Sequence, residues 1–223
     1  MRRVEFGIGE YYHIYNRGNN KQKIFIDKRD WVRFLFLILY FQSSSTTSFN
    51  NLGRPVSSFL KNMSFGISQK ITEEVIRDRY AELTAFALME NHFHLIVREN
   101  KENGISRYMQ RVLNSYTKYF NTKYGHSGHL FQGPFKSVHI KNNEQLLHLS
   151  AYIHRNPTEI KEWKDKEDKY FWSSYQDYLG NNRWNGLLEN KIIVEQFPRQ
   201  FEYKNFVKTS GTKIKLDDKS LFD

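Results

Sequence analysis

The sequence predicts an α+β fold in which an antiparallel sheet has helices packed on one face. Three observations lead to it: short β-prone apolar runs, longer segments with the period of an amphipathic helix, and the order in which they alternate. That order is β-α-(insertion)-α-β-β-α-β-α. The predicted strands cover residues 11–15, 83–89, 92–97 and 137–140, and the predicted helices cover about 27–41, 71–80, 105–120 and 143–156.

The strands are predicted from residue types and from the turn signals beside them. The first run, YYHIY, is followed by NRGNN, which has the composition of a turn. The runs LTAFALM and HFHLIV are separated only by Glu90 and Asn91, so they are expected to form a β-hairpin.

The helices are predicted from periodicity and from their ends. Asp27 is a suitable N-cap for the helix that reaches about Phe41. Between Ile105 and Phe120 the apolar side chains share one helical face and the basic side chains lie on the opposite one. Pro157 ends the last predicted helix, because proline disfavours helical backbone at the residue before it.

The chain is long enough for one compact domain with an extension. We predict a catalytic domain over residues 1–160, interrupted by a polar insertion at about residues 42–66. The first part of that insertion is rich in Ser, Thr and Asn and contains Gly53 and Pro55, so a mobile loop is expected. Residues 161–223 form a C-terminal extension in which no motif indicates a role.

Composition excludes several classes of protein. The chain has no cysteine, which rules out a disulfide framework, a thiolate zinc site and a cysteine nucleophile. No segment approaches the roughly 18 apolar residues that would span a membrane. The N-terminal residues lack the apolar stretch of a secretory signal. A soluble cytoplasmic protein without a membrane partner is therefore expected.

The positive charge is concentrated in one part of the chain. The formal net charge is +10, and residues 1–160 carry 22 basic and 13 acidic side chains against 12 and 11 in residues 161–223. Such an excess favours nucleic acid over a membrane surface, since no amphipathic anchor accompanies it, although an ordinary basic surface is the alternative. The predicted DNA-binding residues are Arg107, Arg111, Lys118 and Lys136.

His92-Phe93-His94 is the first candidate site. On a strand, alternate side chains share a face, which places the two histidine α-carbons about 6.5–7 Å apart. Two imidazoles at that spacing can bind one divalent ion while Phe93 points into the core. The alternative is a pair of histidines on an exposed strand, because His-x-His is common by chance. Its position within an apolar hairpin favours the metal site.

Tyr152 and Asn156 form the second candidate site. They are four residues apart in the predicted helix AYIHRNP and therefore lie on one face. A phenol can attack a phosphodiester, and an amide oxygen can complete the coordination of a metal. Taken alone, a half-buried core tyrosine and an asparagine at a helix end would explain the pair equally well.

The two sites together predict a metal-assisted reaction of a phosphodiester. Two histidines, one amide oxygen and water suit Mg²⁺ or Mn²⁺ better than a structural zinc. The ion would polarise the scissile phosphate. A tyrosine ester of the phosphate would conserve the energy of the broken bond for rejoining. The phenol has an ordinary pKa near 10, so it needs help to ionise.

Four segments in this order resemble the REP-associated tyrosine transposases, relatives of the bacterial single-tyrosine insertion-sequence transposases. The segments are YYHIYNRGNN, ALMENHFHLIV, GHLFQGPFKS and AYIHRNP, and the resemblance covers about residues 8–160. It implies a ferredoxin-like fold of the HUH endonuclease type. His92, His94 and Asn156 would be the metal ligands and Tyr152 the nucleophile.

The resemblance also implies a substrate and a product. The family cuts single-stranded DNA next to hairpins, such as repetitive extragenic palindromes or element ends. It leaves a 5′-phosphotyrosine and a free 3′-hydroxyl, without a nucleotide cofactor. This chain has Glu90 where the family usually has proline, and Asn156, where the insertion-sequence branch has glutamine, favours the REP-associated branch. Whether the protein is a homodimer is left open.

Other interpretations are weaker. A domesticated hairpin-binding protein without activity would be expected to have lost a ligand or the nucleophile, and all four residues are present. HUH replication initiators commonly carry a helicase or a second adjacent tyrosine, which this sequence lacks. An RNA-binding module would need an aromatic strand motif that is missing. Tyr116 and Tyr119 lie on an apolar helical face and are interpreted as core residues.

Overall fold

The computed structural model describes residues 5–44 and 52–210 and is built around a four-stranded antiparallel sheet with the order β2-β3-β1-β4. The strands are β1 (Tyr11–Arg17), β2 (Ala81–Met89), β3 (His92–Glu99) and β4 (Lys136–His139). The helices are α1 (Lys28–Tyr40), α2 (Gly53–Asn62), α3 (Gln69–Asp78), α4 (Gly104–Tyr124), α5 (Asn143–Arg155), α6 (Tyr175–Leu179), α7 (Lys191–Val194) and α8 (Gln200–Thr209). The predicted element order and the hairpin at Glu90-Asn91 are confirmed.

The strand register decides which side chains share a face with the histidines. In the antiparallel pairing of β1 with β3, Tyr15 lies opposite His94 and Arg17 lies opposite His92. β4 pairs with the other edge of β1 and places Lys136 opposite Tyr15. Directly paired residues point to the same side of a sheet, so these five side chains share one face.

Helices α1 and α4 cover the opposite face of the sheet. Phe93, Leu95 and Val97 of β3 point into this core, because they alternate with the histidines. α1 begins at a capping box formed by Asp27 and Asp30. This confirms the predicted α+β class, the antiparallel sheet and the packing of helices on one face.

The second face of the sheet is also covered by helices, which the prediction of one packed face did not include. Ala85 and Ala87 of β2 and Ile96 of β3 form a second buried cluster with residues from α5, α6 and α8. All nine residues of β2 are buried. The apolar run AFALM at residues 85–89 is typical of a strand buried on both faces.

The prediction of a loop throughout residues 42–66 is wrong for residues 53–62, which form α2. Pro55 lies in the first turn, where proline is tolerated because the first backbone N–H groups have no partner within the helix. Val56 and Phe59, one turn apart, are buried in the main core. Residues 45–51, also within the predicted insertion, lie outside the described residues.

The C-terminal extension, whose role the sequence leaves open, covers the outer edge of β2. The phenol of Tyr178 donates to the Thr84 carbonyl (2.8 Å), and that of Tyr170 donates to the Leu88 carbonyl (2.9 Å). Between them, the backbone N–H of Ser174 donates to the Phe86 carbonyl at 2.9 Å. These bonds satisfy polar groups that an edge strand would otherwise leave open to another chain.

The extension also holds α5 against the sheet. His154 of α5 is fully buried, and its ring nitrogens lie 2.7 Å from the Tyr203 hydroxyl and 2.8 Å from the Ser174 hydroxyl. Burial lowers the pKa of His154 to about 3, so the ring is neutral and can donate from only one nitrogen. Within the described residues, no helix is long and apolar enough to cross a membrane.

Candidate active site

The two histidines of β3 point into one partly open cavity. His92 and His94 are 9% and 7% exposed, and their ring centroids are 5.2 Å apart. Phe93 between them is fully buried in the core on the other face, as the alternation predicts. The cavity has a volume of about 300 Å³. Its lining residues are Tyr15, Asn16, Arg17, His92, Phe93, His94, Gln132, Pro134, Lys136, Tyr152 and Glu159.

His92 is oriented by its neighbour in the hairpin turn. Its Nδ1 lies 2.7 Å from Oδ1 of Asn91. The amide nitrogen of Asn91 donates to the Lys21 carbonyl (3.2 Å), so the oxygen is the atom that faces His92. An amide oxygen only accepts hydrogen bonds, so Nδ1 of His92 carries the proton and Nε2 keeps its lone pair.

His94 is bonded to a third histidine, for which sequence analysis found no role. Nδ1 of His94 lies 2.8 Å from Nε2 of His13 on β1. Burial lowers the pKa of His13 to about 3, and burial with the nearby His13, His92 and Arg17 lowers the pKa of His94 well below its usual value. Burial and the Arg17 charge lower the pKa of His92 to about 4, against the opposing effect of the Asn156 side chain. All three rings are therefore neutral near pH 7, the state that binds metals.

Tyr152 projects from α5 toward the histidines. Its ring centroid is 5.7 Å from that of His94, and the two rings meet edge to face. Burial, followed by the negative charge of Glu159, raises the pKa of Tyr152 to about 12, while the Asn156 side chain and the Arg17 charge act in the opposite direction. The structure therefore brings the predicted nucleophile next to the predicted metal ligands.

Asn156 has an amide oxygen available to a metal. It begins the 3₁₀ turn Asn156–Glu159 directly after α5, and its amide nitrogen donates to the Tyr152 carbonyl at 3.0 Å. Its Oδ1 is buried without a hydrogen-bond partner in the part of the chain that the structure describes. A buried acceptor without a partner is costly, and a cation would satisfy it.

The donor set fits a divalent ion but contains no carboxylate ligand group. Among the described residues, no three His, Asp or Glu side chains cluster in a way that could hold a metal. A metal would therefore be held by Nε2 of both histidines and Oδ1 of Asn156, with open positions for water or substrate.

Arg17 is a cavity residue that sequence analysis missed. It lies opposite His92 in the β1–β3 pairing, and its charge affects the pKa values of His92, His94 and Tyr152. No partner for its guanidinium is found among the described residues. The sequence showed Arg17 only as part of the turn motif NRGNN. It did not show that Arg17 lies beside His92, because the strand pairing that brings them together joins residues far apart in the chain.

The predicted DNA-binding residues do not form one surface. Lys136 lines the cavity, and its ammonium lies 5.7 Å from the centre of the Tyr15 ring. Arg107 and Lys118 are exposed on α4, which packs against the face of the sheet opposite the histidines. Arg111 is half buried and bonded to the Tyr80 hydroxyl at 2.6 Å and to the Ser43 carbonyl. Its guanidinium stabilises the loop after α1.

The tyrosines of α4 lie far from the histidine face. Tyr116 is fully buried and donates to the Ile24 carbonyl, which confirms its interpretation as a core residue. Tyr119 is half buried against that core and donates to Asp30 (2.9 Å).

The antiparallel sheet, with two histidines facing a tyrosine on an adjacent helix, is the arrangement that the sequence motifs led us to expect for the HUH fold class. Residues 58–156, a little under half of the chain, match the family described as "Transposase IS200 like". This segment includes both histidines, Tyr152 and Asn156. The resemblance inferred from the sequence motifs is confirmed, and the match supports the predicted transposase function.

A solved structure shares the fold over most of its length. It is described as a REP-associated tyrosine transposase bound to a REP hairpin, and its TM-score with this protein is 0.51. The two sequences are 17% identical, and the similarity covers 81% of this chain and 85% of the other. No curated protein matches the sequence significantly.

Proposed function

We propose that this transposase cuts and rejoins single-stranded DNA beside a hairpin through a transient 5′-phosphotyrosine at Tyr152. One observation carries the proposal: Tyr152 and the two histidines line one cavity, and the Asn156 side chain lies close enough to His92 and Tyr152 to affect the pKa of each. The fold neighbour in complex with a hairpin supports hairpin DNA as the substrate.

His92, His94 and Asn156 would hold a divalent ion, Mg²⁺ or Mn²⁺. When bound, the ion would neutralise charge on the scissile phosphate. The three imidazoles contribute no charge of their own near pH 7, so Arg17 and Lys136 are the cationic side chains that attract the phosphate into the cavity.

The reaction is a transesterification that conserves the number of phosphoester bonds. The Tyr152 oxygen forms a bond to phosphorus, its proton passes to solvent, and the bond from phosphorus to the 3′-oxygen breaks. The departing oxygen takes up a proton and becomes a 3′-hydroxyl. Attack of a 3′-hydroxyl on the phosphotyrosine reverses these changes and rejoins the strand.

The test uses an end-labelled hairpin with single-stranded flanks, incubated with Mg²⁺ or Mn²⁺ and separated on a denaturing gel. We expect a covalent adduct with the parent protein and none with Tyr152→Phe, which keeps the ring and removes the attacking oxygen. The variants Tyr116→Phe and Tyr119→Phe, on the other side of the sheet, are the controls and should still form the adduct.

Three outcomes would refute parts of the proposal. If the adduct persists in Tyr152→Phe but is lost in Tyr15→Phe, the other cavity tyrosine is the nucleophile. If the parent forms no adduct but binds hairpins, the protein is a DNA-binding protein without this activity. Full cutting in excess EDTA would exclude the metal.

A further inference from the structure

The two histidines of the cavity have different hydrogen-bond partners at Nδ1. The partner of His92 is an amide oxygen, which can only accept. The partner of His94 is the ring nitrogen of His13, which can either donate or accept. The two rings are therefore not prepared for a metal in the same way.

We infer that Asn91 fixes His92 permanently in the tautomer whose Nε2 can bind a metal, whereas His94 reaches that tautomer only by a proton rearrangement with His13 when the metal binds. Asn91 and His13 are thus positioning residues. The inference deepens the proposed function and rests on it for the identity of the ion.

The Asn91 contact is held by the fold. The Asn91 amide nitrogen donates to the Lys21 carbonyl, and the Asn91 carbonyl accepts from the backbone N–H of Gly18 at 2.8 Å. Both partners belong to the segment after β1. This segment therefore prevents the amide from turning its nitrogen toward His92.

The His13–His94 pair has two neutral arrangements. In one, Nε2 of His13 donates to Nδ1 of His94, and the proton on Nε2 of His94 blocks metal binding. In the other, Nδ1 of His94 donates to His13, and His13 carries its proton on Nδ1. That Nδ1 is buried without a partner among the described residues. Buried N–H groups without a partner are rarer in folded proteins than acceptors without one, so the first arrangement, which leaves only a lone pair on Nδ1 of His13, is favoured without metal.

A bound metal would reverse this preference without changing the number of protons on the pair. Nε2 of His94 would release its proton to solvent, the shared proton would lie on Nδ1 of His94, and Nδ1 of His13 would take up a proton from solvent. Each ring would remain neutral, with one proton before and one after. Coordination by His94 would compensate for the unsatisfied donor on His13.

The tautomers are measured directly by long-range ¹H–¹⁵N NMR of the histidine rings in the full chain, with and without Mg²⁺. His92 is expected with its proton on Nδ1 in both states. His94 is expected to change from Nε2–H to Nδ1–H at saturating Mg²⁺. A His92 proton on Nε2 in the metal-free protein, or a His94 spectrum that Mg²⁺ leaves unchanged, would overturn the inference.

Variants add a second readout, the affinity for Mn²⁺ measured by electron paramagnetic resonance of the free ion. Asn91→Ala should weaken binding roughly 10- to 100-fold, whereas Asn91→Asp, which keeps an accepting oxygen, should bind at least as well as the parent. His13→Gln offers His94 an amide oxygen and should fix Nδ1–H on His94 even without metal.

A matched control lies at the end of α4. His126 contacts Oδ1 of Asn121 at 3.1 Å, the same type of pair, outside the cavity. Asn121→Ala should leave Mn²⁺ affinity unchanged. Equal affinity of Asn91→Ala and the parent, or no Mn²⁺ binding by the parent, would overturn the inference. Mn²⁺ binding with the expected tautomers, but without a DNA adduct, would support it and refute only the proposed reaction.

Discussion

Arg17 is the residue whose contribution to the proposed reaction is easiest to isolate. Its fork of N–H donors suits a phosphate, and it lines the cavity beside Tyr152. We expect Arg17→Gln to slow adduct formation about 100-fold, the usual loss when one preorganised donor to a developing charge is removed. Arg17→Lys should recover part of the rate. Single-turnover cleavage of a labelled hairpin measures both.

The exposed Arg77 on α3 provides the control for Arg17. Its guanidinium pairs with the adjacent Asp78 on the protein surface. Arg77→Gln should cut DNA at the parental rate. An Arg17→Gln variant with a parental cutting rate would show that its charge has no role in the chemistry.

Sequence alone could identify the histidines, Tyr152 and Asn156, because the histidines alternate on one strand and Asn156 lies one helical turn after Tyr152, at the end of α5. It could not identify His13 and Arg17, since they reach the site only through the pairing of β1 with β3. Sequence analysis also included Arg111 among the predicted DNA-binding residues. The helical pattern placed this residue on the polar side but could not show the carbonyl and hydroxyl that bind it.

At the scale of elements, Asp30 connects α1 to α4. This buried carboxylate accepts from Lys123 (2.8 Å), Tyr119 (2.9 Å) and Tyr124 (2.7 Å), all on α4. Asp30→Asn removes one member of a buried network, and we expect it to lower the free energy of unfolding by about 3 kcal/mol. Urea denaturation measures the change. Asp78→Asn, in an exposed pair, should leave it almost unchanged.

The same carboxylate makes stability depend on pH. Burial alone would raise the pKa of Asp30, but hydrogen bonds from Lys123, Tyr124 and the backbone outweigh it and hold the pKa below its usual value. In the unfolded chain the pKa of this carboxyl group is near 4, and in the folded protein it is lower. The ionised carboxylate therefore stabilises the fold above about pH 4, and this contribution is lost as the pH falls through the pKa of the folded protein. Below about pH 4, stability should therefore fall less steeply in Asp30→Asn than in the parent. Parallel slopes would contradict this.

The elements themselves were largely predictable, but their packing was not. Periodicity located the four strands and the helices that became α1, α3, α4 and α5. The short helix α2 was missed because its apolar positions, Val56 and Phe59, follow a polar segment. The packing of α6 and α8 on the second face of the sheet could not be predicted, because aromatic and charged residues alternate in these segments without a clear period.

At the scale of the whole molecule, charge should govern DNA binding. We expect affinity for a hairpin with single-stranded flanks to fall steeply with salt. Arg107→Ala and Lys118→Ala, which each remove one exposed charge, should each reduce the slope of log affinity against log salt by about 1. Arg111→Ala should mainly lower thermal stability, since its guanidinium is bonded within the protein. Filter binding between low and moderate salt measures the slopes, and salt-independent binding would contradict the expectation.

The C-terminal extension should be required for solubility. A chain that stops at residue 160 would lose the hydroxyl and backbone groups that bond to β2, and would expose Ala85, Ala87 and Ile96. We expect it to aggregate, because an apolar edge strand pairs readily with other chains. A chain that stops at residue 210 keeps every one of these contacts and should remain monodisperse in size-exclusion chromatography. Equal behaviour of the two would contradict this role.

The anchoring of α5 by His154 has a mechanical consequence. In the proposed reaction, the 5′ end of the cut DNA is bonded to Tyr152, two residues before His154. The rest of the DNA can diffuse or be pulled. Force on that end would be transmitted through His154 to Ser174 and Tyr203, and from Ser174 to the backbone of β2. The attachment point of the DNA would therefore be anchored in the core of the protein and not on a mobile hinge.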